Sequence, residues 1–167
     1  MLLPWHSATF IRKETVSKTV SRFWFKSEDG DFSAFKAGQF VTLDLPIHEK
    51  RHKRLRSYSL ANVPDENNVL ELIVVHVPDG LGTNYLFNEL EIGSTLKYRG
   101  PQGVFHLPEK LPKSLCFICT GTGVAPFRAM IEQLQSELTA SEIDIYLVFG
   151  SRTPQDLLYR DEFENLD

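Results

Sequence analysis

Up to about Pro108 the chain alternates short runs of β-branched and aromatic residues with polar turns. Phe23-Trp24-Phe25, Phe40 to Leu45, Ser57 to Leu60 and Leu70 to Val77 are the predicted strands. Glu28-Asp29-Gly30-Asp31, Pro64 to Asn68 and Pro78-Asp79-Gly80 are the turns between them. Frequent short strands of this kind predict an antiparallel barrel or sandwich. One segment departs from the pattern: Tyr85, Leu86, Phe87 and Leu90 are spaced for a short helix over Thr83 to Leu90. After Leu111-Pro112 the rhythm becomes strand (Leu115 to Cys119), helix (Ala125 to Leu138), strand (Ile143 to Phe149) and helix (Pro154 to Glu164). That alternation predicts a parallel α/β unit with right-handed crossovers. The expected architecture is therefore an antiparallel β-barrel over 1–108 followed by an incomplete α/β domain over 111–167, with the Leu107 to Pro112 segment as the boundary.

Composition narrows the classes. With 167 residues, 42% hydrophobic and 24% charged, the chain can bury a real core. A net charge of −4 gives no basic excess of the kind nucleic-acid binders carry. No apolar run approaches the ~18 residues of a membrane span, and Met1 to His6 lacks the features of a signal peptide, so the expected location is the cytoplasm. The five histidines lack metal-ligand spacing, and no metal is assigned. Cys116 and Cys119 form a C-x-x-C within an apolar strand, where they end on opposite faces, too far apart for a disulfide or chelation. Both are expected to be core thiols, and two cysteines cannot supply an all-Cys iron–sulfur centre.

Three clusters carry the candidate chemistry. Arg56-Ser57-Tyr58-Ser59 is read as a strand, with Arg56 and Tyr58 on one face and both serines on the other. An Arg fork suits phosphate and a Tyr ring stacks on a flat heterocycle, although the same residues also decorate ordinary strands. Gly121-Thr122-Gly123 lies between a strand and a helix, at the carboxyl end of a parallel strand where α/β sheets bind ligands. Its glycines let backbone approach a phosphate, and Pro126 fits the first helical turn; a plain tight turn is the alternative. It is neither a Walker loop nor a G-x-G-x-x-G fingerprint, because Pro126 occupies the third glycine position. Pro78 to Asn84 is a turn entering the short helix, and is expected to leave N–H groups near Gly82 to Asn84 open to an anion, with Thr83 adding a hydroxyl or serving as a helix cap.

Together with Gly82-Thr83-Asn84-Tyr85-Leu86, Gly100-Pro101-Gln102-Gly103-Val104-Phe105, Gly121 to Phe127 and Gly150 to Tyr159, the Arg56 cluster resembles the ferredoxin–NADP reductase superfamily, and most closely its bacterial NAD(P)H-dependent flavoprotein reductases. Each motif is weak alone, but they follow the family order along essentially the whole chain. The resemblance implies that Arg56 binds the flavin phosphate, Tyr58 lies against the isoalloxazine and Ser59 hydrogen-bonds near N5, with Ser57 beside them. Gly82 and Thr83 would cradle the pyrophosphate, and Val74 and His76 join the cofactor-binding set. Gly121, Thr122 and Gly123 would receive the nicotinamide nucleotide, with Arg152 a candidate for its phosphates or ribose. The implied reaction is hydride transfer from nicotinamide C4 to flavin N5, then release of electrons to an acceptor. Ser59 and Tyr58 are its nearest approach to catalytic residues. FAD is preferred to FMN, and NADH and NADPH both stand as co-substrate.

The family's nucleotide domain normally continues past the point corresponding to Asp167, so a C-terminally truncated sequence is expected, or else a partner covering the strand at Ile143 to Phe149. A flavin-binding electron-transfer module without its own NAD(P)H turnover is the competing function. The run His48 to Arg54 is a solvated loop or a docking patch, through Lys50, Arg51 and Lys53, for an acidic carrier such as a ferredoxin or flavodoxin.

Overall fold

Residues 3–29, 35–137 and 143–166 are described by a computed structural model. Strands β1 (Trp5–Thr15), β2 (Val20–Ser27), β3 (Phe40–Asp44), β4 (Leu55–Ser59), β5 (Val69–Val75) and β6 (Thr95–Gln102) form an antiparallel sheet in the order β4-β3-β6-β1-β2-β5. An antiparallel bridge between Leu60 and Leu72 joins the two ends, so the sheet closes into a barrel. Its interior is filled by Phe10, Phe23, Phe25, Leu43, Leu45, Leu60, Leu70, Leu72 and Tyr98. The Tyr98 hydroxyl shares a 2.7 Å hydrogen bond with Ser27 Oγ, which satisfies a polar group in an otherwise apolar core.

Two strands, β1 and β6, have no counterpart among the predicted elements. Both lie between neighbours in the sheet, yet each buries only two apolar side chains: Ala8 and Phe10 in β1, Leu96 and Tyr98 in β6. Charged residues such as Arg12, Lys13, Glu14 and Lys97 occupy the remaining positions, and β6 includes Gly100 and Pro101. An antiparallel strand with a solvated outer face needs no longer apolar run than this. The strand predicted at Phe23 to Phe25 extends over the whole of β2.

The short helix begins earlier than its apolar spacing suggests, as α1 (Leu81–Asn84), and continues as a π-helical turn over Tyr85–Glu89. Beyond the barrel, β7 (Ser114–Thr120) pairs in parallel with β8 (Asp144–Gly150), in register from Ser114 opposite Asp144 to Thr120 opposite Gly150. Between them, a 3₁₀ turn over Gly121–Val124 leads into α2 (Ala125–Glu137). Leu138, predicted to end this helix, and Gly30 and Asp31, predicted in a turn, lie outside the described residues. The last predicted helix is interrupted: a 3₁₀ turn at Pro154–Asp156 and α3 (Arg160–Glu164) flank Tyr159, whose φ of 59° is left-handed. No uninterrupted helix can pass through that residue.

Cys119 is buried between the sheet and its neighbours, whereas Cys116 is exposed, which corrects the expectation of two core thiols. The reason is alternation along β7. Phe117 and Cys119 face α2 and the barrel, while Cys116 and Ile118 face outward with Tyr146 and Val148 of β8; Ile118 is 70% exposed. Among the described residues no helix is long and apolar enough to cross a membrane.

Leu72 is fully buried at the point where the barrel closes. Leu72→Ala should lower unfolding stability by about 3 kcal/mol, from lost burial plus an unfilled cavity. Urea unfolding followed by circular dichroism checks this, with the denaturant slope expected to stay unchanged.

Candidate functional site

Strand β4 places Arg56 and Tyr58 on the side where the Pro78–Asn84 turn comes down. A Cβ added to Gly82 would sit 3.1 Å from both Arg56 Cγ and Nε and 3.4 Å from Leu45 Cδ1, so the close approach of this turn to Arg56 depends on glycine at position 82. The Arg56 guanidinium donates from Nη1 to the carbonyls of Lys53 (3.0 Å) and Leu55 (2.8 Å), which holds the side chain against its own strand. Tyr58 is half-buried with its ring against the barrel core. Burial pushes its phenol up to about 12, with the nearby Arg56 charge pulling the other way. On the opposite face Ser57 Oγ and Thr42 Oγ1 share a 2.9 Å hydrogen bond. Ser59, half-buried, stands opposite Phe40 in the β3–β4 ladder.

The turn is held by its own polar groups. Thr83 Oγ1 accepts from Val77 N at 3.1 Å and lies within hydrogen-bond distance of the carbonyls of Val77 (3.0 Å) and Gly80 (3.1 Å). Gly80, not Thr83, is the residue at the helix cap. The Asn84 N–H, expected to be open, donates to Gly80 O at 2.9 Å. The Asn84 side chain donates from Nδ2 to Pro78 O at 2.7 Å, which leaves Oδ1 to accept from His76 Nε2 at 2.8 Å. His76 thus ties the end of the β5 segment to the turn, and its ring also packs on Phe87 with centroids 4.9 Å apart. Val74 is 2% exposed and faces the barrel interior, where its side chain contributes to the core and reaches no open surface.

Two residues after Ser59, Ala61 is buried against Val124 and Ala125, so the chain leaving the Arg56 cluster runs directly into the turn after β7. Beside this junction opens a cleft of about 550 Å³, lined on one side by Thr120, Gly121, Gly150, Ser151, Arg152, Asp156 and Leu158, and on the other by Ser17, Thr19, Val20 and Val75. Gly121 has a φ of +51°, and among the described residues beyond its own chain neighbours a Cβ there would meet no atom within 4 Å, so the backbone presents a bare edge. Of the predicted nucleotide-binding residues, Gly121 and Arg152 line the cleft; Thr122 and Gly123 belong to the same 3₁₀ turn but not to the lining. The barrel wall of the cleft was not predicted. Ser17 and Thr19 belong to the β1–β2 hairpin, and nothing in that local sequence distinguishes a hairpin facing a cleft from one facing solvent.

Residues 7–107 match the family of oxidoreductase FAD-binding domains, and residues 117–167 match the oxidoreductase NAD-binding domains. The chain is 38% identical over 160 residues to ferredoxin–NADP reductase B of Sorangium cellulosum, an alignment covering 95% of this chain and 63% of that protein. The structure superposes with a TM-score of 0.84 and 32% identity on the Amycolatopsis cytochrome P450 reductase GcoB, covering 97% of this chain and 47% of that one. Against a ferredoxin NADP+ reductase from Neisseria gonorrhoeae with bound FAD and NADP, the TM-score is 0.77 at 25% identity, covering 96% of this chain and 63% of the other.

Tyr58 and Tyr98 are both pushed up to about 12, chiefly by burial. Their neutral forms favour the folded state, so this contribution is complete below roughly pH 10, where unfolded tyrosine titrates, and is lost as the pH rises toward about 12. Unfolding stability measured across that range should fall with rising pH, and Tyr58→Phe should make the fall shallower; an unchanged slope would contradict the burial of this phenol.

Proposed function

This chain belongs to the ferredoxin–NADP reductase superfamily, and we propose that it acts in an NAD(P)H-dependent FAD oxidoreductase that passes electrons to a protein acceptor. The observation that carries the reading is the convergence of Arg56 with the Gly82 turn on the barrel, together with a cleft between barrel and α/β unit whose far wall includes Gly121 and Arg152. A bound flavin would supply the redox chemistry, accepting two electrons from a nicotinamide and releasing them to an acceptor.

The residues present fit such a group. Arg56 offers a fixed fork for a phosphate, and Gly82 removes the side chain that would otherwise fill the space beside it. Tyr58, half-buried in the same strand as Arg56, presents a flat ring on which a planar heterocycle can stack. Ser59 stands at the barrel edge next to Tyr58 as the hydroxyl assigned to the reacting end of the flavin. Thr83 shapes the phosphate-side turn through its contacts with Val77 and Gly80, and His76 steadies the same turn through Asn84. In the cleft, the bare edge at Gly121 and the Arg152 side chain suit the phosphates of a second nucleotide, with Thr122 and Gly123 in the same 3₁₀ turn behind that edge, while Ser57 stays with the flavin cluster on β4.

Purified protein should be yellow, and anaerobic NADH or NADPH should bleach it. Retained colour with neither nucleotide bleaching it would select the flavin module without its own nucleotide turnover; absence of any flavin affinity would overturn the reading altogether. Arg56→Ala removes a charge-assisted phosphate contact of about 2 kcal/mol, so flavin affinity should fall roughly 30-fold with the fold intact. Fluorescence titration of the apoprotein with FAD measures it.

The acceptor-docking surface is assigned to the basic run before β4. Asp44 holds Arg54 at 2.6 Å and Arg51 at 3.2 Å, and Arg51 and Arg99 lie over the Trp5 ring at 4.4 and 5.1 Å. Arg51, though exposed, is therefore partly committed to Asp44 and Trp5, while Lys50 and Lys53 are exposed beside it. Replacing Lys50 and Lys53 by Ala should slow reduction of an acidic carrier such as a ferredoxin or flavodoxin about tenfold at low salt. Reduction of a small dye should be unaffected, and equal slowing of both would reject the assignment.

A further inference from the structure

The outer face of the β2–β5 ladder carries Val20, Arg22 and Trp24 on one strand and Glu71, Ile73 and Val75 on the other. Val20 and Val75, which oppose each other in the ladder, form part of the cleft wall. The next positions along the same face hold a buried charged cluster. Glu71 is 4% exposed, and its Oε1 accepts from Arg22 Nε at 2.6 Å and from the Tyr159 hydroxyl at 2.8 Å. Its Oε2 lies 3.4 Å from Arg128 Nη1. Arg128 also donates to the Ala61 carbonyl and pairs with Glu162 Oε1 at 2.7 Å. The guanidinium carbons of Arg22 and Arg128 each stand 4.8 Å from the centre of the Tyr159 ring, so one phenol is held between two cations while donating to the carboxylate between them.

The partners come from both halves of the molecule. Arg22 and Glu71 belong to the barrel; Arg128 lies on α2, and Tyr159 and Glu162 lie at the start of α3 and within it. Burial raises the Tyr159 phenol above its ordinary range, and the Glu71 carboxylate that accepts its hydrogen bond raises it further. Tyr159 is in the left-handed backbone region, which an aromatic residue seldom adopts, and this turn directs its side chain back to the barrel. The residue before it, Leu158, is a wall of the cleft.

We propose that Glu71 is a positioning residue: its carboxylate clamps the α/β unit onto the barrel and thereby sets the width of the cleft between them. The apolar contacts, Val20, Ala61 and Ile73 against Val124, Ala125 and Leu158 on this side and Ala37 against Phe117 and Met130 on the other, are non-directional and do not by themselves fix one setting of the two units. A carboxylate shared by two guanidiniums and a phenol has one arrangement that satisfies every partner. Displacing Tyr159 from it displaces Leu158, and with it one wall of the cleft relative to Val20 and Val75. The consequence for nucleotide binding rests on the function proposed above, whereas the clamp itself does not.

Cys119, 8% exposed within the same interface, reports whether the two units part. In a Cys116→Ser background, the full chain carrying Tyr159→Phe should react with a thiol reagent about tenfold faster at Cys119 with the thermal midpoint and FAD affinity close to those of the parent, and Glu71→Gln, which lowers the midpoint by leaving two buried guanidiniums short of a counter-charge, should react faster by more than its loss of stability accounts for. The double variant should be little faster than either single one, because both break the same contact. Unchanged labelling in both variants would overturn the clamp, as would acceleration that only follows a falling thermal midpoint. NADH titration of the same proteins should show affinity lost about tenfold while FAD affinity holds. Parent protein that binds no NADH would reject the nucleotide assignment of the cleft, and the thiol rates would still decide the clamp.

Discussion

Strand β5 has to be covered on both of its faces. Leu70, Leu72 and Val74 point into the barrel, while Glu71 and Ile73, equally buried, point away from it. Hydrophobic burial on the outer face is only possible if another layer packs there, and that layer is the α/β unit, through Val124, Ala125, Leu158 and Tyr159. The rest follows from this demand. The barrel and the α/β unit meet along the β2–β5 ladder and again where Ala37 and Phe105 pack on Phe117, Phe127 and Met130, and the cleft opens at the Val20–Val75 end of the ladder.

The same ladder explains why charge is found where apolar contact would be expected. A carboxylate taken out of water is tolerated only with its hydrogen-bonding capacity filled, and Glu71 is met by Arg22, Arg128 and Tyr159. On the other side of the barrel Asp44 plays a comparable part on a smaller scale, gathering Arg51 and Arg54 beside Trp5. The two clusters differ in what they join. Asp44 stiffens one loop of the barrel, whereas Glu71 bridges elements distant in sequence and so fixes how two units sit together.

Much of the chemistry was legible because it is local. Arg56 and Tyr58 share a face by strand alternation, and Gly121 to Pro126 turn a strand into a helix with glycines and a proline in the positions such a turn requires. Strands β1 and β6 escaped because a half-solvated strand can bury two apolar side chains and leave the rest charged, which is a weak signal in any window. Cys116 was misjudged for a related reason: an apolar run does not say how many of its faces are covered, and only the neighbours of β7 decide that.

By itself, the sequence determined the class of the strongly apolar elements, the order of barrel and α/β unit, and the motifs that place the chain in its superfamily, because these rest on periodicity and on residues adjacent along the chain. The tertiary structure decided the rest: that Gly82 lies beside Arg56, that Val74 faces the core, that the β1–β2 hairpin walls a cleft opposite Gly121, and that Glu71 and Tyr159 meet. Those are contacts between residues far apart in sequence, fixed by how the closed sheet and the α/β unit pack together, and no local pattern encodes them.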